Sequence, residues 1–176
     1  MIERKTYVPF GLTADASIDY LLGIIEDARA TTLQRVEGIG KTELHWQYAK
    51  GWNTIGALLS HMVSCEHFFR ITYIQQRELT KAENKKWLPG LDMGEYIPQL
   101  INNKPISWYL RQLAVSQKML VKELKGLSKE EFHKRIEDYN PKTGCNLAWV
   151  FYHVAEDEVH HRGQISILRK LYKARK

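Results

Sequence analysis

The sequence predicts an all-α fold built on four long helices. Three observations carry that expectation: four extended segments repeat apolar residues at helical spacing, no stretch alternates as a strand would, and the glycines and prolines cluster between those segments. A length of 176 residues fits one domain covering positions 1–176 and can bury a core without a staple.

The first helix runs from about Asp15 to Val36, with Ile18, Leu21, Leu22, Ile25, Ala28 and Leu33 on one face. Asp15 or Ser17 can cap its free amides, and Gly38 and Gly40 stop it. The second starts at Asn53 as cap and continues to about Glu78 through Ile55, Leu58, Leu59, Met62, Phe69 and Tyr73. The third spans about Ser107 to Lys125, turning Leu110, Leu113, Met119, Leu120 and Leu124 inward, with Gly126 as its stop. Ser128 and Glu131 then have the spacing of a capping box and mark a minor turn. The fourth follows the breaker run Asn140-Pro141-Lys142-Thr143-Gly144, begins at Asn146 and continues to the C-terminus. Between the second and third lies a long connection, Leu79 to Ile106, with three prolines and two glycines among apolar anchors such as Trp87 and Ile97. It reads as a packed loop long enough to carry the chain from one end of a bundle to the other.

Hydrophobic residues make up 44% and charged residues 26% of the chain, the balance of a globular protein. No run approaches the roughly 18 apolar residues of a membrane span. The start Met1-Ile2-Glu3-Arg4-Lys5 has no signal core, and two cysteines, Cys65 and Cys145, fit a reducing cytoplasm rather than a disulfide framework. The net charge of +6 gathers in the tail. Arg169, Lys170, Lys173, Arg175 and Lys176 lie among the last eight residues, and without those five charges the body stands at +1. A basic helix end is favourable against the helix dipole without any partner, and no stripe of cations interleaved with aromatics marks a nucleic-acid surface. Nucleic-acid binding is therefore not expected.

Chemistry gathers on the fourth helix. At ~100° per residue, Val150, Val154, Ile165, Leu168 and Tyr172 fall within about 40° of His161, which puts this histidine inside an apolar stripe. Asp157 and Glu158 flank it at about 40° and 60° on opposite sides. Burying such groups unpaired costs several kcal/mol, so each needs a partner. Asp157 and His161 are four residues apart and can offer two ligands to one ion; a buried hydrogen-bonded pair is the equal alternative. The run Asp157-Glu158-Val159-His160-His161 also has the form of the zinc-protease helix pattern, with Asp in the first place. His153 is about 12 Å further along the helix, too far to share that ion. A third ligand must come from another helix, and His61 on the second helix is the candidate, with Cys65 and Glu66 nearby. His61 lies at the edge of that helix's apolar arc, about 80° off centre, where a capping or hydrogen-bonded histidine is the commoner role. Cys65 is a possible donor, although a single cysteine on an intracellular helix more often packs in a core. His45, His67 and His133 form no pattern and read as surface or loop residues.

At these residues the sequence resembles a known family. Trp149 to Ile165, with the tag His160-His161-Arg162-Gly163-Gln164, looks like the signature helix of the DinB superfamily of DinB/YfiT-like metalloenzymes, and Asn53 to His61, followed by Glu66, looks like its second helix. The resemblance extends from Ile18 to Leu171. It implies a four-helix bundle in up-down-down-up order, often dimeric, holding a divalent metal on three side chains. By position these are His61, Asp157 and His161, with Asp157 standing where the family most often has histidine. Zinc and nickel both accept two imidazoles and a carboxylate, a set that leaves a coordination position open.

The activity implied by this likeness is a metal-dependent transfer of a low-molecular-weight thiol, bacillithiol-like, to an electrophilic small molecule, with the thiol as cosubstrate and a homodimer as the assembly. Glu158, Arg162 and Gln164 are then expected to orient ligands or bind the thiol's carboxylates. Two other readings stand beside it: metal-assisted hydrolysis with Glu158 as base, and a non-catalytic metal-binding bundle of the stress response.

Overall fold

The computed structural model describes residues 4–136 and 144–175. It is helical throughout, with an isolated antiparallel bridge between Ile136 and Cys145 in place of any strand among the described residues. In chain order the elements are α1 (Ala16–Arg35), α2 (Lys41–Leu44), α3 (Ile55–Phe69), α4 (Lys81–Asp92), α5 (Ile97–Leu100), α6 (Ile106–Leu124), α7 (Lys129–His133) and α8 (Leu147–Ala174). No described helix is long and apolar enough to cross a membrane. Of the breaker run expected before α8, Asn140 to Thr143 lie outside the described residues, as do Met1 to Glu3 and Lys176.

Capping chemistry sets several of these ends. Asp15 accepts from the Ser17 amide at 2.7 Å and opens α1. Asn146 accepts from the Trp149 amide at 2.9 Å and opens α8. Ser128 and Glu131 close the expected capping box at α7. Helix α3 differs from its expected bounds. Thr54, not Asn53, is its cap, accepting from the Ala57 amide at 3.0 Å. The regular helix ends at Phe69, where one wider π-type turn, Arg70–Ile74, completes the segment. In that turn the Gln75 amide donates to the Arg70 carbonyl, five residues back. The turn accompanies a buried charge: Arg70 is 4% exposed and its guanidinium reaches Glu123 on α6 at 2.6 Å.

The four long helices pack around a core that a polar layer divides in two. One apolar cluster joins Leu58, Leu59 and Met62 to Leu113, Ile165 and Leu168. The other joins Ile18, Leu22 and Ile25 to Leu120, Phe151 and Val154. Contacts between α1 and α8 climb together along both helices, from Arg29 on Glu158 to Arg169 on the Arg35 and Glu37 carbonyls. Those between α3 and α8 run oppositely, His61 meeting Asp157 while Phe69 meets His153. Those between α3 and α6 climb together, Glu66 meeting Ser116 and Arg70 meeting Glu123. Parallel neighbours need a crossover spanning the bundle, and the residues between α3 and α6 provide it.

That crossover is not the loop expected of it. It contains α4, twelve residues opened by a full capping box between Thr80 and Glu83, and α4 packs along α3. Arg169, counted with the basic tail, does have partners: its Nε donates to Glu43 at 2.8 Å and its Nη1 donates to the Arg35 carbonyl at 2.6 Å.

Candidate metal centre

Between the two apolar clusters, α3 and α8 face each other through pairs of residues one helical turn apart: His61 and Cys65 on α3, Asp157 and His161 on α8. The four-residue spacing stacks each pair on one face of its helix, and the antiparallel packing brings the faces together. Asp157 lies between the two rings. Its Oδ2 is 3.4 Å from His61 Nε2 and its Oδ1 is 3.1 Å from His161 Nε2. The rings stand edge to face with centroids 4.7 Å apart. Cys65 Sγ is 3.3 Å from His61 Nε2.

The far nitrogen of each ring is already committed. His61 Nδ1–H donates to the Gly90 carbonyl on α4 at 2.8 Å, and His161 Nδ1–H donates to Gln164 Oε1 at 3.0 Å. Gln164 is itself held, its Nε2 donating to His160 Nε2 at 2.9 Å. With the proton fixed at Nδ1, a neutral ring turns its Nε2 lone pair toward the carboxylate. Two lone pairs facing one carboxylate at these distances repel unless positive charge lies between them, as protons or as a cation.

The electrostatics follow. Burial opposes charging His61, but the Asp157 carboxylate more than offsets it and leaves the pKa above its ordinary value. Burial would raise Asp157, yet hydrogen bonds from His161 and His61 hold it well below the usual carboxylate range. Cys65 moves strongly upward, first from burial and then from the negative charges of Asp157 and Glu66. A cation in this place would reverse that last trend, since a coordinating thiol loses its proton.

His61, Cys65 and Asp157 form the one group of metal-ligating side chains among the described residues whose donor atoms all lie within 4.8 Å of one another. His161 meets the other oxygen of Asp157. Cys65, which the sequence favours as a core residue, is thus drawn into the cluster; its i,i+4 spacing from His61 was the available signal.

The remaining sequence candidates divide. Gln164 contacts His161 directly. Glu158 turns away from the cluster, both of its oxygens accepting from Arg29, at 2.8 Å from Nε and 3.1 Å from Nη2. Arg29 also donates to Glu66 at 3.0 Å and to the Leu113 carbonyl at 2.8 Å, while Ser116 hydrogen-bonds Glu66. This buried network, tying all four long helices, is the partner that the buried Glu158 required, and it holds the carboxylate away from the cluster. Arg162 likewise points to α1, donating to Thr31 Oγ1. His67, expected at the surface, is 7% exposed and stacks on Trp87 with centroids 4.0 Å apart. Trp87 comes from α4, an element the sequence reading lacked, which is why that burial was invisible.

Comparison with known proteins agrees with the architecture. A family model described as the DinB superfamily matches residues 24–165. A crystal structure of a protein from Streptococcus pneumoniae is similar with a TM-score of 0.65 at 15% identity, covering 89% of this chain and 90% of that one. A likeness at that identity shows the fold alone. No curated protein matches the chain.

Proposed function

The chain belongs to the DinB superfamily, and from that premise we propose that His61, Asp157 and His161 hold a divalent metal ion, zinc or nickel, for the transfer of a low-molecular-weight thiol to an electrophile. One observation carries the metal reading: two Nε2 atoms face a single carboxylate at 3.4 and 3.1 Å while their Nδ1–H groups are occupied elsewhere. The donor chemistry fits, since outer hydrogen bonds on the distal nitrogens are how metal-ligating imidazoles are held in one tautomer.

When bound, such an ion supplies Lewis acidity and lowers the pKa of a coordinated thiol or water. The protein's part is orientation. Gly90 and Gln164 fix the two rings, Asp157 supplies negative charge, and apolar clusters flank the polar layer on either side. Hydrolysis is the weaker reading because Glu158, its expected base, is engaged by Arg29. Transfer requires no protein base where the incoming thiol arrives as thiolate.

Two measurements test the proposal. Tag-free protein should contain close to one equivalent of zinc or nickel, and His61→Ala combined with His161→Ala should abolish it; full retention of metal by that double variant overturns the centre. Conjugation of several low-molecular-weight thiols to an electrophile should be metal-dependent; activity as a metal-dependent hydrolase without conjugation overturns the transfer. The homodimer implied by the family is checked by light scattering.

A further inference from the structure

We propose that Cys65 is a fourth protein donor of this centre, so that the ion is held by a thiolate in addition to the imidazoles and the carboxylate. The inference rests on the metal reading above and adds to it a sulfur ligand, and with that a class of metal.

Spacing is the first argument. Donors around a tetrahedral ion at roughly 2.0–2.3 Å stand about 3.3–3.8 Å from one another. Cys65 Sγ is 3.3 Å from His61 Nε2, and Asp157 Oδ2 is 3.4 Å from the same nitrogen. The sulfur therefore already stands at a ligand's distance from an accepted ligand. His161, by contrast, meets the other oxygen of Asp157 and lies outside the set of donors within 4.8 Å of one another, so sharing the ion draws its ring inward. Cys65 is 8% exposed, its thiol enclosed in the layer between α3 and α8 rather than at the surface.

Charge is the second argument. A divalent ion with two neutral imidazoles and one carboxylate leaves a net +1 on the centre itself, and an anionic donor in direct contact cancels it there. A thiolate brings the sum to zero. The step balances simply: the Cys65 S–H bond breaks, its electron pair forms the sulfur–metal bond, the proton leaves to solvent, and no electron changes hands. A sulfur donor favours thiophilic divalent ions such as zinc over magnesium, calcium or manganese. It also means that an external thiol must either displace Cys65 or join it.

Cobalt(II) gives the test, because a thiolate bound to cobalt produces a near-ultraviolet charge-transfer absorption that nitrogen and oxygen ligands do not. The full chain, loaded with one equivalent of cobalt(II), is expected to show that absorption. Cys145→Ser should retain it, since Cys145 pairs with Ile136 through the backbone bridge, away from this layer. Cys65→Ser should lose it while still binding cobalt, with affinity weakened at least about tenfold. Wild-type protein that binds cobalt with ligand-field absorption alone overturns the sulfur ligand and leaves the metal proposal standing. Failure of wild-type protein to bind cobalt or zinc at all overturns both. The wild-type and Cys145→Ser spectra decide the matter even if Cys65→Ser does not fold, and Cys65→Ala serves as a second variant.

Discussion

Arg29 places a guanidinium between carboxylates from two helices with only 3% of its side chain exposed. Removing one partner of such a buried arrangement leaves the others uncompensated, at a cost of about 3–5 kcal/mol. Arg29→Met should therefore destabilise the chain by that order in urea unfolding, and adding Glu66→Gln with Glu158→Gln should recover much of it. His67 makes a second residue-scale prediction. Burial, then the nearby Arg70 and Lys86 charges, lower its pKa to about 4. A histidine with a depressed folded pKa contributes stability that is complete above its unfolded value near 6.5 and lost as pH falls toward 4, up to about 3 kcal/mol here. Thermal melts between pH 7 and 4.5 should show wild type losing more stability than His67→Phe, which lacks the titrating ring. At this scale the sequence revealed the Asp157–His161 pair, because both residues share one helix and its 3.6-residue period fixes their register. It did not reveal that Glu158 belongs to Arg29, because that depends on which helix packs on each flank of α8.

Helix α4 shows how an element can hide. Its first half, Lys81 to Lys86, is polar but for Ala82, only Trp87 and Gly90 are buried, and Pro89 and Gly90 read as breakers. The Thr80–Glu83 capping box was its legible signal, with the same spacing as Ser128 and Glu131. The helix matters because it carries the carbonyl that orients His61. Gly90 sits so close to α3 that an added Cβ would run into Ser64 and come within 2.9 Å of the Ser60 carbonyl oxygen. Gly90→Ala should push α4 outward, costing about 1–3 kcal/mol of stability, and should weaken zinc binding as the support of His61 shifts. Titration calorimetry beside a melting curve separates the two effects; unchanged zinc affinity in a destabilised variant would dissociate α4 from the centre.

For the molecule as a whole, metal binding must appear as stability. Occupancy at a free metal concentration of 100 times Kd adds about 2.7 kcal/mol, which for a domain of this size raises Tm by roughly 5–10 °C. Stripping the protein with a chelator should lower Tm by that amount, and zinc should restore it; a Tm indifferent to both would leave the polar layer held by protons alone. The charge balance also changes meaning in three dimensions. Arg169, which sequence counting places in a basic tail, is a half-buried strut binding Glu43 and the end of α1.

Periodicity alone determined that four long amphipathic helices form and that polar groups interrupt the apolar stripe of the last one, since each follows from residues within a turn or two of each other. Tertiary packing alone decided which polar groups meet: that His61 comes level with Asp157, that Cys65 enters the same layer, and that Arg29 occupies Glu158. Those outcomes turn on how far one helix slides and rotates against another, and a shift of a single residue, 1.5 Å and 100°, redirects every side chain on the facing surface.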